Sequence, residues 1–167
     1  MNVAILTVSD SAAAGEQADL SGPLLRELAE TLGGTVVCAD ILPDDEDAIA
    51  NWLAEVTDAR HADLALTSGG TGLGPRDVTP EATRRVIEKE AQGIAEAIRA
   101  AGLAKTPRAM LSRNVAGIRG GTLIINLSGS PKAVREQWDA IEPALQHAVD
   151  TVGGGGAHPE ADAARRR

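Results

Sequence analysis

Aromatic side chains are almost missing from this chain of 167 residues: it has no Phe, no Tyr, and only Trp52 and Trp138. A core must be assembled from Leu, Ile, Val and Ala, and the ring platforms on which single-stranded nucleic acid stacks are excluded. Cys38 is the only cysteine. No disulfide can form within the chain and no cysteine-based zinc site can be built; in its apolar run Cys38 reads as a core residue. His61, His147 and His158 are scattered and form no metal-ligand pair, and no Ser/His/Asp hydrolase pattern is present. No apolar run reaches the length of a membrane span, and residues 1–8 lack the basic region and cleavage pattern of a signal peptide. The net charge of −8 opposes sequence-independent binding to a phosphate backbone. The expectation is a cytoplasmic protein with neither nucleic acid nor membrane as partner, in which any anion site is local.

What the chain does have is a regular alternation. Residues 3–8 read as a buried strand ending in polar Ser9-Asp10-Ser11, and residues 12–19 as a loop. Leu24, Leu25, Leu28 and Leu32 recur at helical spacing over 21–32, with Pro23 near the start and Gly33 at the end. A β-branched strand is expected over 35–42, a helix over 47–58 and a third strand over 63–67. Beyond them, Pro80 suits a helix's first turn with Thr79 as its cap, and helices are expected over 81–90 and 92–103. Strand-like runs over 110–115 and 122–127 flank a hairpin turn at Ile118-Arg119-Gly120-Gly121. A closing helix over 132–152 precedes a glycine- and arginine-rich tail, 153–167, whose composition reads as disordered. Trp52 and Trp138 fall in helical segments and read as packing residues. Strands alternating with helices predict an α/β fold, a three-layer α/β/α sandwich with a mostly parallel central sheet and a small late β-hairpin. Residues 1–152 are expected to form its single domain.

The chemistry concentrates at strand ends, where such folds bind ligands. The densest stretch is Ser68-Gly69-Gly70-Thr71-Gly72, running on through Asp77 to Glu81. Its glycines admit positive φ and close backbone approach, and bare N–H groups in such loops hold anions. It matches neither the P-loop nor the dinucleotide fingerprint. Asp77 reads either as a helix N-terminal acid or as a metal ligand. Mg²⁺ favours one or two carboxylates plus phosphate oxygens, so Asp77 needs a partner; Asp44 and Asp45 are candidates, and either can instead cap the next helix. Ser9 and Asp10, and the turn Ser128-Gly129-Ser130-Pro131-Lys132, complete a set suited to a phosphorylated ligand and a divalent cation.

These residues also carry a resemblance. Leu66 to Gly72, followed by Pro75-Arg76-Asp77-Val78-Thr79-Pro80-Glu81-Ala82-Thr83, closely resembles the signature of the Mog-type molybdopterin adenylyltransferases, shared with the gephyrin G domain and the MoaB proteins. Thr7 to Ser11, Ile41 to Asp45, Ala109 to Arg113, Ala116 to Arg119 and Ile124 to Leu127 extend it over nearly the whole chain. The resemblance implies transfer of AMP from ATP, the co-substrate, to the terminal phosphate of molybdopterin, with release of pyrophosphate and help from Mg²⁺. It implies a cytoplasmic homotrimer and, as a further partner, the molybdate-inserting enzyme of the same pathway. It matches Asp44 and Asp77 to the two important acids, catalytic and metal-binding, on neighbouring strand ends. Substrate and nucleotide binding falls to Ser9, Asp10, Ser68, Gly69, Gly70, Thr71, Gly72, Ser112, Ser128, Gly129, Ser130 and Lys132. Where the family commonly has Pro-Gly-Asn-Pro or Pro-Gly-Gln-Pro, this chain has Ser128-Gly129-Ser130-Pro131, and Ser128 has a backbone N–H that proline would lack. Two alternatives stay open: a non-catalytic molybdopterin carrier or scaffold of the MoaB type, and an unrelated nucleotide enzyme on the same scaffold, as in competence-associated relatives.

Overall fold

The computed structural model describes residues 1–59 and 62–155. Six strands form one sheet: β1 (Asn2–Val8), β2 (Thr35–Leu42), β3 (Leu64–Ser68), β4 (Lys89–Glu90), β5 (Ala116–Arg119) and β6 (Thr122–Leu127), in the spatial order β2-β1-β3-β6-β5-β4. The first four in that order run parallel; β5 and β4 are antiparallel additions at one edge. The helices are α1 (Asp10–Ala13), α2 (Ser21–Thr31), α3 (Glu46–Asp58), α4 (Thr79–Val86), α5 (Gln92–Leu103) and α6 (Pro131–Val152), with a 3-10 turn at Pro107–Leu111.

Strand alternation explains the three layers. Val3, Ile5, Leu64, Leu66, Leu123 and Ile125 face a cluster built with α2, α5 and α6, including Leu25, Ile98, Trp138 and Ile141. Ala4, Leu6, Val8, Ala65 and Ile124 face the opposite cluster with Ile49, Trp52 and Leu53 of α3 and Ala82 of α4. Both faces of the central strands are buried, so they read as largely apolar runs and not as a strict alternation. Cys38 packs half-buried beside the second cluster.

The sequence-based expectations differ from the structure in a few places. Residues 81–90 are not one helix: α4 stops at Val86, Ile87 turns extended, and Lys89–Glu90 pairs with Ile118 and Gly117 of β5. Pairing to an open sheet edge overrides local helix propensity there. The strand expected over 110–115 begins only at Ala116, because Thr106 caps and Pro107 opens a 3-10 turn through Leu111. Ile118 and Arg119 lie in β5, leaving Gly120-Gly121 as the turn. Residues 10–13, read as a polar strand end and loop, form the short α1 capped by Ser9. Thr79 is not a cap: it lies inside α4 and its hydroxyl donates to the Gly69 carbonyl at 2.9 Å. Most of the tail, with His158, and His61 lie outside the described residues.

All four parallel strands end at one edge of the sheet. The chain passes from β1 to β2 on one side and then to β3 on the other, so a topological switch point lies at β1, where open α/β sheets bind ligands. Beneath it, fully buried Asn126 of β6 donates to the hydroxyls of Thr67 in β3 and Thr83 in α4, both at 2.9 Å. Asn126→Ala would strand both hydroxyls, so a loss of roughly 2–3 kcal/mol is expected, read as a lower denaturant midpoint at unchanged m.

Candidate active site

A cleft of about 610 Å³ opens at that edge. Its wall includes Ser9, Asp44, Ser68, Gly69, Gly70, Thr71, Gly72, Asp77, Ser112, Ser128 and Gly129, eleven residues gathered from four strand ends and the segment before β5.

The glycine loop has this shape because other backbones demand it. Gly69 has φ +104°, and a Cβ there would lie 2.1 Å from the Val8 carbonyl oxygen. Gly70 has φ +62°, and a Cβ there would lie 2.3 Å from the Thr79 hydroxyl and 3.0 Å from an Asp44 oxygen. The loop thus folds tightly onto β1 and against the carboxylate of Asp44. Buried Ser68 donates its hydroxyl to the Ser128 carbonyl at 3.1 Å, and a Cβ on Gly129 would lie 3.3 Å from the Gly69 Cα. The two small-residue turns are in contact.

The acids divide their work. Asp45 caps α3, accepting from the Ala48 N–H at 2.8 Å, and Asp44 faces the cleft. Asp44 and Asp10 exchange hydrogen bonds: the Asp10 N–H donates to Asp44 at 3.1 Å, and the Asp44 N–H to Asp10 at 3.0 Å. Arg76 grips Asp10 with two donors at 3.1 and 2.8 Å. Strand β1 stands between β2 and β3, so Asp44 and Asp77 do not come from adjacent strands; Asp10, at the end of β1, bridges toward Asp44 instead. Asp77 does not cap α4. Its carboxylate accepts from the Gly74 N–H at 2.8 Å and closes its own turn.

Three residues expected to bind substrate do not line the cleft. Asp10 is held by Arg76 and Asp44. Ser130 caps α6, accepting from the Ala133 N–H, and Lys132 is exposed in the helix's first turn. The N–H that Ser128 has and a proline would lack is taken by the Gln137 side chain at 2.8 Å, and the Gln137 amide donates back to the Ser128 hydroxyl at 2.8 Å. The cleft also holds residues that pattern reading did not select. Asp19 collects the Thr7 hydroxyl and the N–H groups of Ser21 and Gly22, and Arg108 also lines the cleft. They belong to no periodic pattern or glycine signature, so only the fold brings them there.

Residues 4–147 match the protein family described as "Probable molybdopterin binding domain". The chain belongs to this family of molybdenum cofactor biosynthesis. The molybdopterin adenylyltransferase of Helicobacter pylori strain J99 is 40% identical over 154 residues, which are 91% of this chain and 88% of that protein. The molybdopterin adenylyltransferase of Escherichia coli K12 is 36% identical over 89% of this chain and 77% of its own length. The molybdenum cofactor synthesis protein cinnamon of Drosophila melanogaster is 45% identical over 89% of this chain, which spans only 25% of that longer protein. The solved structure of the molybdopterin biosynthesis enzyme MoaB from Thermus thermophilus matches with a TM-score of 0.87 at 48% identity, covering 92% of this chain and 96% of that one.

In this molybdopterin-binding domain, Asp44 is held above the ordinary carboxylate range, first by burial and then by the neighbouring carboxylates of Asp10 and Asp77; the Asp10 N–H and Arg76 offset part of this. Asp10 itself is held below that range by Arg76. A carboxylate whose folded pKa is raised favours the fold while protonated, and that contribution is lost as pH rises through the raised value. Asp44→Asn is therefore expected to stabilise the unliganded protein at neutral pH by up to ~1 kcal/mol, since the group is only half-buried. The gain should vanish in acid, and denaturant titrations at the two pH values check it.

No group of three or more His, Cys, Asp or Glu suited to a metal occurs among the described residues. Two cleft carboxylates, one of them raised by burial and by its acidic neighbours, fit an ion that arrives with phosphate oxygens, not one caged by protein alone.

Proposed function

We propose that this protein transfers AMP from ATP to the terminal phosphate of molybdopterin, releasing pyrophosphate. The observation that carries the reading is a single cleft in which two touching small-residue turns, Ser68–Gly72 and Ser128–Gly129, lie with the half-buried carboxylates of Asp44 and Asp77. Two phosphate-bearing substrates need two adjacent anion seats, and such chemistry asks for positioning and charge control more than for a side-chain base. The names of the Helicobacter and Escherichia relatives support the same activity.

In this reading the backbone of Gly70, Thr71 and Gly72 seats the triphosphate of ATP, and Ser128 and Gly129 border the phosphate of molybdopterin. Asp44 and Asp77 would hold Mg²⁺, which when bound supplies charge neutralisation on the reacting phosphates. Arg76 keeps Asp10 turned away from the cleft and, through it, the backbone of Asp44 in place. A homotrimer in the cytoplasm, working beside the molybdate-inserting enzyme, completes the proposal. The long cinnamon and gephyrin relatives, of which this chain spans 25% and 22%, support a place beside other pathway enzymes.

The test is pyrophosphate release from ATP and Mg²⁺ by purified protein, with and without molybdopterin. Release that requires molybdopterin is expected. Molybdopterin binding without release would overturn the enzyme and leave a carrier.

A further inference from the structure

Arg113 holds the glycine loop from behind. Its guanidinium donates to the carbonyl oxygens of Gly72 and Asp77, each at 2.6 Å, and pairs with the Glu81 carboxylate. Its backbone N–H donates to the Thr71 carbonyl at 2.9 Å. The side chain is only 31% exposed and does not line the cleft. Both ends of the 72–77 stretch are thus tied to one rigid, planar group. The segment that carries Arg113 is itself anchored. The Ser112 carbonyl accepts from Arg99 of α5 at 2.9 Å, and the buried Asn114 amide donates to the Asn126 carbonyl in β6 at 2.7 Å. The loop bearing Asp77 is braced through Arg113 against the central sheet.

We infer that Arg113 is a positioning residue, setting the place of Asp77 toward a metal–nucleotide complex through the carbonyls of Gly72 and Asp77 without touching that complex. The inference rests on the proposed role of Asp77 at the nucleotide's metal. Lysine cannot replace the fork, because an ammonium is a point charge on a flexible stem and not a plane with fixed donor directions.

The test compares Arg113→Lys, Arg113→Gln and Glu81→Gln with wild type, after circular dichroism and melting establish which are folded. Affinity for Mn²⁺ with a non-hydrolysable ATP analogue is measured by calorimetry, and KM for molybdopterin by turnover. Folded Arg113 variants are expected to bind the metal–nucleotide at least tenfold more weakly while KM for molybdopterin stays within twofold. Glu81→Gln, which keeps both carbonyl bonds, should stay within twofold on both measures. A folded Arg113 variant that binds like wild type overturns the inference, as does equal weakening toward both substrates or a Glu81→Gln that reproduces the loss. If neither Arg113 variant folds, a tenfold weaker metal–nucleotide affinity in Glu81→Gln still overturns it, and an affinity within twofold supports it. A wild type that binds no metal–nucleotide would sink the proposed function and this inference together, whereas binding by wild type with no change in the variants would sink only the inference.

Discussion

Replacing Asp77 with asparagine is expected to lower adenylyl transfer by about two to three orders of magnitude, the usual cost of removing one well-placed electrostatic group from an active site. The fold gives a reason to trust this substitution as a probe. Asp77 accepts from the Gly74 N–H at 2.8 Å, and an asparagine carbonyl can accept the same bond. Asp77 caps no helix, so no cap is lost. What disappears is one negative charge facing the cleft. The melting temperature should hardly move while kcat falls, and a steady-state assay with a thermal melt on the same preparation checks both. Equal activity would remove Asp77 from the mechanism.

Gly69→Ala should act on stability instead. The residue sits at φ +104°, and its added Cβ would meet the Val8 carbonyl oxygen at 2.1 Å, a backbone atom that cannot swing aside. Positive φ for alanine costs roughly 1–2 kcal/mol, and forcing β1 away from the loop adds ~1–3 kcal/mol, so a total of roughly 2–5 kcal/mol is expected. Gly33 supplies the control. It also has a positive φ, +84°, but a Cβ there would meet nothing within 4 Å. Gly33→Ala should cost only about 1–2 kcal/mol, the conformational part alone. Denaturant titrations of the two variants separate strain from collision. Similar losses in both would show that the contact with Val8 relaxes freely.

Much of the architecture was legible in residue order. Leu24, Leu25, Leu28 and Leu32 marked α2, and the largely apolar runs at 3–8, 63–67 and 122–127 marked strands. The helix expected over 81–90 ends at Val86 because residues 87–90 respond to an open sheet edge, and that edge exists only once β5 and β6 have paired. The strand expected over 110–115 failed for a nearer reason: the Thr106 cap and Pro107 wind the chain into a 3-10 turn before β5 can start.

By itself the sequence determined the α/β class, the signature from Ser68 to Glu81 and the acids available to a phosphate site, because periodicity and residue chemistry are local properties. Only the tertiary structure decided how those acids are used. Asp45 and Asp44 are adjacent in sequence and equal in type, yet the first caps α3 and the second faces the cleft. Asp10 looks like a ligand until Arg76, 66 residues away, takes both its oxygens. Arg113 looks like a surface charge until the Gly72 and Asp77 carbonyls converge on it. A carboxylate or guanidinium takes its role from the partners that other strands bring within hydrogen-bond range, and those partners are chosen by strand order.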